Sequence, residues 1–191
     1  MITPGRHGSP VLPPSLQLLR AHSDWHRSWS HVVAGAFSAS SPYSGLLFYS
    51  QDEGTAEFYE TDGAGGIALL SSQTWRTSWT HIVPLVVKAN AAAGPGFLLY
   101  DQAAGLGAFY GTDGQGNLNL LSEDATWPDS WTHIVAGHFT DSDFSDLLFY
   151  DQSNGVGALY TTNGSGGMDL VAEYHDWRTS WTHIFVQRFR F

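Results

Sequence analysis

All eight tryptophans of the chain fall into four pairs with one spacing: Trp25/Trp29, Trp75/Trp79, Trp127/Trp131 and Trp177/Trp181. A histidine stands two residues after each pair (His31, His81, His133 and His183), and the second tryptophan recurs at intervals of 50, 52 and 50 residues. Three blocks align between these marks: LLFYSQDEGTAEFYETDGAGGIALL, FLLYDQAAGLGAFYGTDGQGNLNLL and LLFYDQSNGVGALYTTNGSGGMDLV. Six of the eight tyrosines hold equivalent places, as Tyr49/Tyr59, Tyr100/Tyr110 and Tyr150/Tyr160. A period of this length marks a repeat architecture, in which each unit buries its apolar face against the next.

Each repeat reads as four short strands. In the third they are 133–139, 147–151, 157–162 and 168–173, rich in β-branched and aromatic residues and bounded by turn formers. Asp113-Gly114 and Asn163-Gly164 predict type I′ hairpins, which need positive φ at both central positions. Gly105-x-Gly107 and Gly155-x-Gly157 predict the preceding hairpin. Four antiparallel strands in about 50 residues is the size of a propeller blade. The expected fold is therefore all-β, a propeller-like array of four-stranded antiparallel modules at about 31–80, 81–132 and 133–182.

Residues 16–30 and 183–191 match outer pieces of further units, and Met1–Ser15 reads as a flexible arm without the apolar stretch of a classical signal peptide. A unit lacking its middle strands leaves unpaired edges. Self-association of two chains is the expected completion, with a four-bladed monomer carrying one defective blade as the competitor. The compartment is left open, extracellular action included.

Composition narrows the function classes. With 8 Lys plus Arg against 18 Asp plus Glu, the formal charge of −10 would repel a phosphate backbone, so nucleic acid is not an expected partner. The chain has no cysteine, which excludes disulfides and thiol chemistry. Nor does any stretch reach the roughly 18 apolar residues of a membrane span.

In the third repeat, Gly137-His138-Phe139, Asp141-Ser142-Asp143 and Asp146-Leu147-Leu148 resemble the FG-GAP/VCBS-type tandem repeats of β-propeller proteins. The resemblance runs over about residues 29–191 and implies a propeller fold of the kind found in lectins and adhesion proteins. That family's calcium loop is one residue longer and contains a glycine absent here. Its counterparts at 38–45 and 88–96 contain no carboxylate, so only Asp141, Asp143 and Asp146 are carried over as a candidate metal set. No other cofactor is expected.

The repeated polar and aromatic residues are the candidate ligand contacts. In an extended segment both indoles and the histidine of each Trp-x-x-x-Trp-x-His element would share a face. An indole offers a flat face to the C–H side of a sugar and an N–H to its hydroxyls. The first tryptophans, Trp25, Trp75, Trp127 and Trp177, are expected as exposed platforms, and the second as wedges between modules. His31, His81, His133 and His183, with Gln51, Asp101, Gln102, Asp151 and Gln152, are expected as the polar rim. A purely structural role for the histidines, and ordinary turn-capping for the Asp-Gln corners, stand as alternatives. No nucleophile elbow or helical metal motif occurs, and the polar groups recur with the repeat, so the chain is expected not to be an enzyme. The leading expectation is a multivalent carbohydrate-binding protein with shallow sites between modules. The alternative is a protein-interaction or adhesion scaffold.

Overall fold

The computed structural model describes residues 18–186 apart from 39, 90 and 91. Among these there are twelve strands and no helix. Module 1 comprises β1 (His31–Gly35), β2 (Gly45–Ser50), β3 (Thr55–Thr61) and β4 (Ile67–Thr74). Module 2 comprises β5 (His81–Ala89), β6 (Ala92–Asp101), β7 (Leu106–Thr112) and β8 (Leu118–Asp124). Module 3 comprises β9 (His133–Gly137), β10 (Asp146–Asp151), β11 (Val156–Thr162) and β12 (Met168–Tyr174). Each module is one antiparallel sheet with its strands in sequence order. Among the first strands, β1 and β9 each approach β5. Their ends surround a cavity of about 730 Å³ lined by Phe37, Pro84, Leu85, Gly137 and His138 among others. The fold is thus an all-β, propeller-like array of four-stranded modules.

Strand periodicity explains how one short strand serves two cores. Successive side chains leave opposite faces of a sheet. Phe97 and Leu99 of β6 join Leu47, Tyr49, Phe58 and Trp79 between modules 1 and 2. Leu98 and Tyr100 of the same strand join Phe109, Trp131, Leu147 and Phe149 between modules 2 and 3. Both faces of the central module are therefore covered, and each fully buried ring or leucine contributes about 1.5–3 kcal/mol.

The expected strands of the third module lie within a residue or two of those observed, with β9 ending at Gly137. The hairpins differ in type. Gly114 and Gly164 have φ of 75° and 73°, but Asp113 and Asn163 keep negative φ, so these turns are not type I′. Instead the Asp113 carboxylate accepts from the amides of Gln115 and Asn117, and Asn163 Oδ1 from those of Ser165 and Gly167. The side chain closes a five-residue loop whose two positive-φ glycines, Gly114 and Gly116 or Gly164 and Gly166, are separated by one residue, where a type I′ turn needs them adjacent.

The end pieces depart further from expectation. Residues 18–30 and 183–186 are in no strand, and residues 16, 17 and 187–191, like the arm 1–15, lie outside the described residues. The end modules are nonetheless covered. Trp25 and Trp29 pack on Phe48 at ring distances of 4.4 and 5.7 Å, and Trp177 and Trp181 pack on Tyr150 at 5.8 and 5.9 Å. The connectors cap the faces that a further module would otherwise bury. No helix among the described residues is long and apolar enough to cross a membrane.

Candidate ligand clefts between the modules

The connector after each module is a turn rather than an extended strand, because two hydrogen bonds fold it back. After module 1, the Trp75 amide donates to Gly54 O and the Tyr49 hydroxyl to Arg76 O, at 2.7 and 2.5 Å. After module 2, Trp127 N donates to Gly105 O and Tyr100 Oη to Pro128 O, at 2.9 and 2.5 Å. After module 3, Trp177 N donates to Gly155 O, and Tyr150 donates to Arg178 O. After module 1 the turn brings both indoles, Trp75 and Trp79, into one cleft and leaves His81 out of it.

A cleft of about 300 Å³ lies between modules 1 and 2, lined by Gln73, Trp75, Arg76, Trp79, Tyr110 and Leu118, among others. A second, of about 270 Å³, lies at the entry to module 1 and is lined by His22, Asp24, Trp25, Tyr59 and Ile67, among others. The two are equivalent: Tyr59 and Tyr110 lie on the third strand, Ile67 and Leu118 begin the fourth. Trp127, Tyr160 and Met168 hold the same positions at the edge of the core between modules 2 and 3. The rims also correspond. Gln73 accepts from Trp75 Nε1 at 3.0 Å and donates to Gly116 O, while His22 Nε2 donates to Gly65 O at 3.1 Å. Arg76 reaches Glu123 of the next module at 3.3 Å.

The first tryptophan of each pair is half-buried, with one face committed. A Cβ at Gly107 would lie 2.6 Å from the Trp127 ring, and one at Gly157 would lie 2.7 Å from Trp177. Within the two inner pairs the second tryptophan is the buried one, Trp79 at 2% and Trp131 at 9% exposed. In the last pair the order inverts, since Trp181 is 40% exposed with no module packed beyond it among the described residues. Trp25 and Trp29 are both half-buried.

The phenols of these clefts are held neutral. Burial, and then the hydrogen bond to Glu57 at 2.6 Å, push Tyr59 up to about 12. Burial, with Glu123 adding to it, raises Tyr110, and burial with Glu173 raises Tyr160. Such a cleft presents a flat apolar face, a neutral hydroxyl and amide or guanidinium donors to a ligand of similar make-up.

The residues expected as the polar rim do other work. His31, His81 and His133 each place Nε2 2.9–3.0 Å from the carbonyl of Thr80, Thr132 and Thr182, joining one module to the next. A carbonyl only accepts, so Nε2 carries the proton; Nδ1 lies 2.9–3.0 Å from the adjacent hydroxyl of Ser30, Thr80 or Thr132, which gives its own proton to the carbonyl of Tyr49, Tyr100 or Tyr150. His183 has the hydroxyl contact from Thr182 and lies at the exposed end. Asp101 and Asp151 are buried and close their own turns, accepting from the amides of Ala104 and Asn154 at 3.1 Å. Burial pushes against it, but bonds from Asn154 and Ser130 hold the Asp151 carboxyl below the usual carboxylate range. Gln51, Gln102 and Gln152 donate their backbone amides to the Ser30, Thr80 and Thr132 hydroxyls. The turn-capping alternative describes these corners, and they do not line the tryptophan clefts.

The candidate metal set is corrected by geometry. Asp146 is fully buried and accepts from the amides of Phe139 and Thr140, both at 2.7 Å, and from the Thr140 hydroxyl. Its carboxylate closes the loop itself, and no group of three metal-ligating side chains forms among the described residues.

The residues missed by sequence reasoning are Tyr59, Tyr110 and Tyr160, the apolar residue opening each fourth strand, and Gln73 and Arg76. The tyrosines were visible as repeat positions, but nothing in one strand shows that its face meets the preceding connector.

No protein-family model matches the chain, and no curated protein matches it. Among solved structures it is similar to the periplasmic gluconolactonase PpgL of Pseudomonas aeruginosa, with a TM-score of 0.47 and 12% identity. The match covers 78% of this chain and 40% of that one, so the chain spans about two fifths of the enzyme's length. The expectation that the chain is not an enzyme is corrected by this match to an enzyme's structure. Its premise also fails on the chain itself, because module 1 carries polar groups that do not recur: Glu60 stands where modules 2 and 3 have Gly111 and Thr161.

Proposed function

We propose that the chain is a multivalent carbohydrate-binding protein whose ligands lie in the clefts between modules. The observation that carries this reading is the recurrence of one cleft: Trp25 with Tyr59 and Ile67, then Trp75 with Tyr110 and Leu118. Each joins an indole face to a neutral phenol and to polar groups that suit an uncharged, hydroxylated ligand. Weak sites of this kind gain avidity when several engage one glycan-coated surface. Self-association would multiply them further, and Trp181, Phe185 and Val186 are the exposed apolar residues available for it. The test is a broad glycan array probed with the intact protein, followed by Trp25→Ala and Trp75→Ala. Binding that each substitution weakens supports the proposal, and silence across the array refutes it.

One observation favours a second reading, an interaction scaffold. Leu69, Leu120 and Leu170 are each about half exposed at equivalent points of β4, β8 and β12. Replacing all three with serine would abolish partner capture under that reading and leave glycan binding intact.

A further inference from the structure

Module 1 holds a cleft of about 460 Å³ that differs in kind from the tryptophan clefts. Its walls are the loop before β2, with Ser40, Ser41 and Tyr43, and the end of β3, with Glu60 and Asp62; Arg20 stands at its edge. The walls are stapled together. Glu60 Oε2 accepts from Ser38 Oγ at 3.1 Å and from Ser40 Oγ at 3.4 Å. Ser41 Oγ donates to Thr61 O at 3.2 Å and Thr61 Oγ1 to Ser44 O at 2.9 Å. A bridge from Ser38 to Gln115 ties the loop to module 2.

Two features point to a ligand. Tyr43 lies flat on Gly63, where a Cβ would collide with its ring, and remains 50% exposed, so its other face is open. Glu60 spends one oxygen on the two serines and keeps Oε1 without a hydrogen-bond partner among the described residues. Asp62 likewise spends one oxygen, Oδ1, on the Ala64 and Gly66 amides, which hold that carboxyl low, and Arg20 adds to the effect. The cleft thus sets two carboxylates against one guanidinium, beside one aromatic face and several hydroxyls.

Module 3 shows that the arrangement is not a by-product of the loop. There Ser142, Phe144, Ser145 and Thr162 make the same staples, and Phe144 lies on Gly164. Thr161 replaces Glu60, and the β5–β6 hairpin covers the place, with Lys88 N donating to Gly164 O at 2.8 Å. Where the carboxylate is missing the cleft is closed; where it is present the cleft is open.

We propose that this cleft is a second ligand site, taking a hydroxylated ligand that bears a primary ammonium, of the amino-sugar class. The sugar's C–H face stacks on Tyr43, the ammonium meets Glu60 Oε1 and the face of the ring, and the serine hydroxyls meet the ligand's hydroxyls. The site shares no residue with the cleft at Trp75 and Trp79 and only Ile67 with the cleft at Trp25, so it is tested apart from the first of these.

The test is a titration of the labelled protein by NMR at neutral pH, with glucosamine as the probe and glucose as its uncharged control. Saturable shifts at residues 40–43 and 60–62 are expected with glucosamine, and affinity weaker by about tenfold or more for glucose, in keeping with a charge-assisted bond. Glu60→Gln should lose the preference and Trp75→Ala should keep it. If Glu60→Gln fails to fold, Tyr43→Leu serves, with weaker binding of both sugars expected. Equal affinity for the two sugars, or shifts confined to the tryptophan clefts, overturns the proposal.

Discussion

The imidazole of His81 donates from Nε2 to the carbonyl of Thr132, 2.9 Å away, and so joins the first strand of module 2 to the residue that precedes the first strand of module 3. His31 and His133 repeat the bond at their own junctions, which makes it a ladder along the inner strands. Burial pulls the His81 pKa below its ordinary 6.5, and His133 and His31 add to the effect. The folded state therefore binds this proton less readily than the unfolded chain. Stability is fully present above pH 6.5 and is lost as the pH falls below it, at up to about 1.4 kcal/mol per pH unit for one proton. Urea midpoints measured across this range should fall on the acid side, and His81→Gln should flatten the curve. A midpoint that rises on acidification contradicts the assignment.

Ser50 stands where modules 2 and 3 carry Asp101 and Asp151, and its buried hydroxyl has no partner among the described residues, nor has that of Ser28. In module 3 the residue matching Ser28 is Ser130, and its hydroxyl is bonded to Asp151. Loss of the carboxylate thus strands both hydroxyls. Asp151→Ser should cost about 1–3 kcal/mol and Ser50→Asp should gain about 1 kcal/mol, read as opposite shifts of the melting temperature by calorimetry.

Trp79 and Trp75 sit in one cleft with different duties. Trp79→Ala should cost about 3–5 kcal/mol, because the ring is fully enclosed between Leu99 and its neighbours in the core. Trp75→Ala should cost less and remove ligand binding at that junction. Chemical denaturation paired with glycan binding separates the two, and a stable Trp79→Ala protein that is blind to ligand would invert the roles.

Gly107→Ala inserts a methyl 2.6 Å from the Trp127 ring, and the strand cannot retreat from its two partners. The ring must swing away, at a cost of about 1–3 kcal/mol. The near-ultraviolet circular dichroism of the tryptophans should change with it. Gly111→Ala, which meets nothing closer than 3.9 Å, should be close to neutral and is the control.

The repeat, the four strands per module and the all-β class were legible because period-2 hydrophobicity and turn residues are local properties. The wedge role of Trp79 and Trp131 was legible too, since both run directly into an apolar strand. The rim was not. His81, Asp101 and Gln102 are polar residues at strand ends, and sequence cannot tell a polar group turned to solvent from one bonded to the next module's backbone. The turn at Asp113-Gly114 was misjudged for a related reason, because the Asp113 carboxylate closes a loop of five residues whose positive-φ glycines, Gly114 and Gly116, are not adjacent.

By itself, then, the sequence determined the module: its length, its strand order and the alternation that gives β6 one face for each neighbour. Tertiary structure alone decided which tryptophan of a pair is covered, since Trp131 and Trp181 share a motif and differ in whether a module packs beyond them. It also decided that Tyr110 meets Trp75 across a junction, and that Glu60 faces an open cleft while Thr161 lies under a hairpin. Local patterning fixes which face a side chain leaves from, but what lies opposite depends on segments about 20–80 residues away in the chain, and no local rule reaches that far.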